Sequence, residues 1–359
     1  MNCSPDVIGS NQAVGNHHIL GGKQPVTVLM NHFLMYHHSS NYLQYFCRWA
    51  KQRKDVIQVI CKKLEFQDYH TYDPRDVLEV FDTDSIQEVE KRTQWDIHTL
   101  ALLACGLGQM KNLQKFIFQK IYEPLNLPQD LEMEACCFPE IFFQFSKLNK
   151  LQHLCLNDVY FLNGRLDQVL RCLESSLETL AITHCLLSQS DMNYLSQCPS
   201  IQKLKHLDLS GVTFIHLHDA FLGSLLQRLT ATLQTLKLKD CMIMDSQLSA
   251  LLPALSQCSQ LTEDNFVKNL LSMGSLKKLL QHTANLTKLT LVKYPAPDEI
   301  YNNMGLLLPD KFIQLYSELM DTVPDIRQPK QVCFVINMSR LSESLSIIWR
   351  PDNVLVGDI

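Results

Sequence analysis

Thirteen cysteines and thirteen histidines are the side chains of this 359-residue chain best suited to hold a metal or act as a nucleophile. Their spacing does not assemble a familiar constellation. C-x-x-C, H-E-x-x-H, G-x-S-x-G and G-x-x-x-x-G-K-[ST] are all absent from the sequence. Cys136 and Cys137 are adjacent, beside Phe138 and Pro139, which suits packing or a loop better than redox chemistry. His216 and His218 are two apart and could approach one metal ion, but the bland reading is a solvated loop. His37 and His38 fall in a stretch without periodicity. Asp82 and Asp84 bring two carboxylates together with no basic or nucleophilic partner in view, so a solvated turn is expected. The cations Lys51, Arg53, Lys54, Lys62 and Lys63 read as a solvated helix face whose aliphatic stems cover apolar neighbours. A nuclear-import or anion-binding patch is the alternative.

Composition narrows the classes further. Lys and Arg number 32 against 37 Asp and Glu, a net charge of −5, which argues against a general nucleic-acid coat. An apolar share of 46% excludes wholesale disorder. No run of eighteen apolar residues and no secretory opening occur, so neither membrane insertion nor secretion is expected. Reduced thiols follow, with cytoplasm as the expected compartment and the nucleus as a second. The sequons at Asn2, Asn285 and Asn337 should then stay unmodified, and Leu286, inside the second, is an expected core position.

What could position side chains is a repeat. Leucine is concentrated in residues 151–300, with 36 copies against 7 in the first hundred residues. The pattern L-x-x-L-x-L recurs as LQHLCL at Leu151, LETLAI at Leu177, LKHLDL at Leu204, LQTLKL at Leu233 and LTKLTL at Leu286. A degenerate copy, LTEDNF, starts at Leu261, and a weak one, LQKFIF, at Leu113. The first four starts lie 26, 27 and 29 residues apart, the period of a leucine-rich repeat. Each segment is a turn entering a short strand, its leucines pointing between a strand layer and a helix layer. One repeat cannot cover its own apolar face, so neighbours must stack. Cys185 and Cys241 fall eight residues beyond the first leucine, where Asn or Cys is usual, and read as buried structural thiols. Val159, Val212 and Tyr294 take that place in three other copies.

Apolar periodicity predicts helices between the strands, near Arg165–Leu173, Ser190–Cys198, Leu222–Leu229 and Asp245–Leu255, with Pro253 in the last as a first-turn residue or a kink. Tyr42–Leu64 reads as helical throughout. The organisation expected is a loosely structured segment over 1–40, a helical flank or cap with irregular repeats over 41–110, a repeat domain over 111–300, and a C-terminal flank or cap over 301–359. The fold class is α/β, a leucine-rich repeat solenoid (horseshoe) with parallel strands on the concave face and helices on the convex face.

Three stretches carry a more specific resemblance: FLNGRLDQVLRCLESSLETLAITHCLLSQSDMNYLSQCPSIQKLKHLDLSGVTF at 161–214, ATLQTLKLKDCMIMDSQLSALLPALSQCSQL at 231–261, and LTKLTLVKYPAPDEIYNNMG at 286–305. They resemble the PRAME (preferentially expressed antigen in melanoma) family, with a weaker extension to VIQVICKKLEF at 56–66. The resemblance implies a substrate-recognition subunit of a cullin-2 RING ubiquitin ligase, docked through elongin B/C, and a regulator of transcription, proliferation and apoptosis in the germline. Two departures point to a shortened or diverged member: the usual long N-terminal opening is missing, and the chain ends in PDNVLVGDI without cysteine. Leu151, Cys155 and Val159 have the spacing of an elongin-binding box but sit on a predicted strand, where a docking box needs a helix face.

Strand alternation selects the residues expected to face a partner: His153, Cys155, Asn157, Thr179, Ala181, Thr183, His206, Asp208, Ser210, Thr235, Lys237, Lys239, Lys288, Thr290 and Val292. The row is polar, with Lys237, Lys239 and Lys288 as a positive end, and suits a protein partner rather than a reaction. The expectation is a non-enzymatic interaction scaffold without a cofactor, a metal or a specific nucleic acid. A repeat protein with no ligase role, an enzyme, and a degenerate copy with little biochemical role stand as the alternatives.

Overall fold

A parallel strand can follow another only through a crossover, and strands and helices alternate along this chain accordingly. The computed structural model describes residues 26–35, 40–67, 73–121, 128–326, 331–337, 344–350 and 353–358. The chain divides into two units, Met1–Leu151 and Gln152–Ile359.

The first unit contains β1 (Val26–Met35), α1 (Ser40–Lys51), β2 (Ile57–Phe66), α2 (Pro74–Leu78), β3 (Glu88–Lys91), α3 (Ile97–Leu107), β4 (Lys115–Ile121) and α4 (Pro128–Phe145). Its strands are parallel and paired in chain order. Phe33, Leu64, Val89 and Phe116 are in register and buried, and form one layer of the core. The next layer holds Phe66, Lys91 and Phe118. Lys91 is 0% exposed; its ammonium donates to the carbonyls of Gln119 and Lys120 and lies over the rings of Trp95 and Phe118, at 5.4 and 4.9 Å. Cationic donation plus aromatic faces offset the cost of removing that charge from water.

The second unit contains β5 (His153–Val159), α5 (Leu166–Arg171), β6 (Thr179–Thr183), α6 (Gln189–Leu195), β7 (His206–Asp208), α7 (Ala220–Gln227), β8 (Thr235–Lys237), α8 (Asp245–Leu255), β9 (Glu263–Asn265), α9 (Met273–Thr283), β10 (Leu291–Pro295), α10 (Pro309–Ile326), β11 (Gln331–Asn337), β12 (Ser344–Arg350) and β13 (Asn353–Asp358). Strands β5 to β11 are parallel in chain order, and β12 and β13 complete the sheet antiparallel. One register line runs Leu154, Leu180, Leu207, Leu236, Asp264, Val292 and Val332, all buried. Each fully buried leucine in it is worth about 1.5–3 kcal/mol relative to exposure. This is the α/β repeat solenoid that the leucine spacing predicts.

Backbone polar groups between layers are satisfied by a recurrent device. Cys185 Sγ donates to the carbonyls of Leu156 and Thr183 and accepts from the Val159 N–H; Cys241 Sγ donates to those of Leu209 and Lys239. Asn269 holds the same place in the degenerate copy: its amide donates to Leu238 and Phe266 and accepts from the N–H groups of Cys241 and Ile243. Seven residues after the first apolar residue, Lys120, Asp158, His184, Gly211, Asp240 and Lys268 all have φ between 53° and 75°, the left-handed turn that takes the chain off the strand. Buried Asp191 caps α6 through Ser188 and reaches back to the N–H groups of Gly164 and Leu166 in the preceding repeat. Among the described residues no helix is long and apolar enough to cross a membrane.

Three readings are corrected. The helix predicted over Tyr42–Leu64 stops at Lys51; Ile57, Val59 and Ile60 are β-branched, and Val59 and Cys61 alternate inward on β2. Val26–Met35, inside the segment read as loose, is a strand paired along β2. The last copy is read three residues too early. Leu286 lies in the turn before the strand, and Leu289, Val292 and Tyr294 take the three core places, because Val292 pairs with Asp264. Tyr294 is therefore a core residue, and not the eighth position of its repeat. The helix predicted over Ser190–Cys198 starts at Gln189, capped by Ser188, and ends at Leu195; Pro253 lies inside α8, past its first turn.

Candidate protein-interaction face

On β5 to β10 the side chains that alternate away from the core form ladders across the sheet of the second unit. The first ladder is His153, Thr179, His206, Thr235, Glu263 and Leu291, and the second is Cys155, Ala181, Asp208, Lys237, Asn265 and Lys293. All are partly exposed. Asn157 and Thr183 pair in a third, and Ser210 and Lys239 hold the equivalent places after β7 and β8. Of the predicted contact residues, those on the first four repeats thus share one face.

Lys288, Thr290 and Val292 do not. Val292 is buried, Thr290 enters the strand with its N–H and hydroxyl bonded to the Thr262 carbonyl, and Lys288 lies before the strand with its ammonium on Gln260. The three-residue register difference is the cause, and it puts Leu291 and Lys293 on the face instead. Lys293 stands 3.9 Å from Glu263, which tempers the positive end. The sequence reading also missed Glu263 and Asn265; the LTEDNF copy, taken with the same alternation, would have indicated both.

The ladder is tied laterally. His153 Nδ1 is hydrogen-bonded with Thr179 Oγ1 at 2.9 Å, and His206 Nδ1 with Thr235 Oγ1 at 3.0 Å. Lys205 holds Glu178 at 2.8 Å at the strand entry and keeps its carboxyl below the ordinary range. Partial burial, then the charges of His153 and Lys205, hold the His206 imidazole below its ordinary value. Lys237 and Lys239 make no ion pair among the described residues. Leu151 and Val159 are in the core with Cys155 on the strand between them, so the box-like triplet presents no helical face. Among the described residues no three His, Cys, Asp or Glu side chains converge as metal ligands.

This geometry sits in a chain whose residues 26–348 match the family model described as the PRAME C-terminal domain. The chain belongs to the PRAME family. It is 44% identical to human PRAME family member 12 over 331 residues, which is 92% of this chain and 68% of that protein. It is equally similar to human PRAME family member 8, over 92% of this chain and 69% of that one, and 39% identical to human PRAME family member 20 over the same shares. Among solved structures, a crystal structure of a Bacteroides fragilis protein covers 72% of this chain and 74% of its own, at 13% identity and a TM-score of 0.42.

The first unit of this PRAME-family chain carries a different face. His32, Lys63, Glu88 and Lys115 are in register across β1 to β4, and Glu65 and Glu90 stand beside them. Lys63 reaches Glu90 at 2.7 Å, Glu88 at 3.3 Å and Glu65 at 3.5 Å. Arg92 reaches Glu90 at 2.6 Å and Glu65 at 3.2 Å, Lys115 reaches Glu88 at 3.0 Å, and His32 reaches Glu65 at 2.9 Å. The charges cancel within the face, which leaves little field to draw a partner. Lys63, read from sequence as part of a helical basic patch, belongs to this network. The signal for it is the alternation Lys63-x-Glu65 and Glu88-x-Glu90 around buried Leu64 and Val89.

The two thiols of the repeat position are inert by burial. Burial pushes Cys185 up to about 11 and Cys241 up to about 12, so neither is a thiolate at neutral pH.

Proposed function

We propose that this PRAME-family repeat scaffold is a non-enzymatic, protein-binding molecule that takes its partner on the strand face of the second unit. The observation that carries the reading is the pair of polar ladders from His153 to Glu263 and from Cys155 to Lys293. Half-exposed hydroxyl, imidazole, amide and ammonium groups stand there on a rigid sheet, pre-ordered for hydrogen bonding to another surface. Complementary polar contacts of this kind give specificity more than raw affinity.

The finer form of the proposal rests on the family resemblance: substrate recognition for a cullin-2 ubiquitin ligase through elongin B/C, with effects on transcription, proliferation and apoptosis, in the cytoplasm and also in the nucleus. Binding to an elongin B/C–cullin 2 complex, measured against an unrelated repeat protein, tests it. Binding no stronger than that control removes the ligase role and leaves the scaffold reading. For the scaffold itself, proximity-labelling partners of the full chain are compared with those of a Thr179→Arg, Lys237→Glu variant. Loss of partners at an unchanged melting temperature is expected. An unchanged partner set moves binding off this face.

A further inference from the structure

β1 stands at the end of the sheet: among the described residues it pairs with β2 alone. The hydrogen bonds of β2 show which backbone groups a strand here turns to each side. Towards β3, the Val59 carbonyl accepts from the Asp82 N–H and the Cys61 N–H donates to Ser85 Oγ; beyond them the Lys62 and Phe66 carbonyls accept from the N–H groups of Gln87 and Arg92. Alternate residues are used, with one change of phase between Cys61 and Lys62. β1 runs in register with β2, Met30 beside Cys61 and His32 beside Lys63, and the pairing skips Asn31. Its change of phase therefore falls between Met30 and Asn31. The Val26 N–H bonds to the Val56 carbonyl at 2.8 Å, so Val26, Val28 and Met30 turn their backbone to β2, and Asn31, Phe33 and Met35 do so after the change. Thr27, Leu29, His32 and Leu34 turn theirs to the free edge.

Sheet edges are ordinarily blunted by lysine, proline or an inward charge. Val26–Met35 contains no Lys, Arg, Asp, Glu or Pro, and His32 is held on Glu65 at 2.9 Å. Val26, Leu29 and Leu34 are 65%, 62% and 37% exposed, while Ile57 and Ile60 beside the first two are half-buried and Glu65 beside the third is buried. Val28 is half-buried where its neighbour Val59 is buried. The end layer of this core is thus covered from one side.

We infer that β1 pairs antiparallel with β1 of a second copy of this chain, joining the two sheets across a two-fold axis between Met30 and Asn31. The backbone restricts the occupant to an extended strand. The order of its groups then picks this chain itself. Thr27, Leu29, His32 and Leu34 are placed symmetrically about the midpoint of Met30 and Asn31, so under a two-fold there Thr27 meets the partner's Leu34 and Leu29 meets the partner's His32. Every edge-facing residue then stands opposite another, the arrangement in which antiparallel neighbours exchange both of their backbone hydrogen bonds. A strand of unbroken alternation would lose its match on one side of the change. The side chains agree. Val28 and Phe33 lie in register with buried Val59 and Leu64, and on that core side Val28 falls opposite the partner's Phe33, an apolar pair. No two charges of one sign are brought together, because His32 is the strand's only titratable side chain. Residues 1–25 contain no apolar-x-x-apolar-x-apolar segment like that of Met30, Phe33 and Met35, so this chain's own start offers no rival copy. The inference concerns the first unit and is independent of the strand face of the second.

Sedimentation velocity of the full chain between about 1 and 100 µM tests it, and a monomer–dimer equilibrium is expected. Thr27→Pro, Leu29→Lys removes one edge-facing N–H and sets a charge on the edge. It should raise the dimer dissociation constant at least about tenfold, with an unchanged far-ultraviolet circular dichroism spectrum. The register has its own test. Thr27→Glu and Leu34→Lys should each weaken the dimer, and the double variant, which opposes the two new charges across the axis, should recover it. Amide exchange of Thr27, Leu29, His32 and Leu34 should slow as concentration rises. A parent that stays monomeric overturns the inference, as does a dimer that Thr27→Pro, Leu29→Lys leaves intact, or a double variant that dimerises no better than the single ones. Slow exchange of those four amides in the monomer also overturns it, because another segment of this chain then covers the edge.

Discussion

Tyr294 Oη donates to Asp264 Oδ2 at 3.1 Å, and Asp264 stands in a core layer that the four preceding repeats fill with leucine. Both residues are 0% exposed, and Tyr294 packs with Phe266 and Phe334, each ring 6.2 Å away. The aspartate removes a leucine from the layer, and the phenol of the next repeat supplies part of the hydrogen bonding that its carboxyl needs.

This pairing predicts an asymmetric mutant series. Tyr294→Phe leaves a buried carboxyl short of a donor and should cost about 1–3 kcal/mol. Asp264→Leu in the Tyr294→Phe background restores an apolar layer of similar volume and should recover most of that loss. Urea unfolding midpoints of the two variants and the parent check it. Equal midpoints for the single and double variants would count against the pairing.

Gly211 has φ of 75°, and a Cβ built there would lie 2.3 Å from His184 Nδ1 in the same turn of the previous repeat. Gly211→Ala should therefore destabilise the chain by backbone strain of about 1–2 kcal/mol plus the clash. Adding His184→Ala should relieve the clash and leave the strain. Thermal unfolding of the single and double variants separates the two contributions.

The charged face of the first unit should fail in acid. Burial acts against the Glu90 charge, but hydrogen bonds from Lys63 and Arg92 outweigh it and hold the carboxyl below its ordinary range. A carboxyl depressed in the folded state contributes stability that is complete above its unfolded pKa and lost as pH falls through the folded one. The Lys63 ammonium is shifted the other way: burial pulls it down, Glu90 and Glu88 more than compensate, and its contribution is lost only as pH rises through the raised value. Glu90→Gln should flatten the acid limb of a stability profile recorded between about pH 3 and 7. An acid limb as steep as the parent's would assign it to other carboxylates.

The His206 imidazole should titrate below a free histidine, because partial burial and then the charge of His153 disfavour its protonated form. His153→Asn should raise its midpoint towards the ordinary value, as read by NMR on the ring protons. Partner capture on the strand face should change over the same pH interval if His206 makes a contact there, since protonation puts a cation into the ladder.

Much of this fold was readable from residue spacing, and the places where it was not have physical causes. Leu151, Leu177, Leu204 and Leu233 start repeats that all use leucine at the buried places, so the period shows directly, and alternation then gives the face from His153 to Lys237. In the first unit the same places hold Cys61, Ile86 and Leu113, followed by Leu64, Val89 and Phe116, with Lys91 in the next layer. Mixed residue types hide a period that the backbone keeps. At Leu286 the text L-x-x-L-x-L is present, yet LTLVKY, starting at Leu289, lies in the sheet; two frames fit the pattern, and only burial of Val292 and Tyr294 separates them.

Stacked layers that all carry leucine could slip past one another by a whole unit with little loss, a hazard for any chain folding from near-identical modules. Lys91 and Asp264 remove that freedom. A displaced Lys91 would lose the Gln119 and Lys120 carbonyls, and a displaced Asp264 would lose the phenol that meets it. Each odd layer therefore works as an address, admitting a single neighbour and leaving an out-of-step assembly with a buried polar group that has lost its partners.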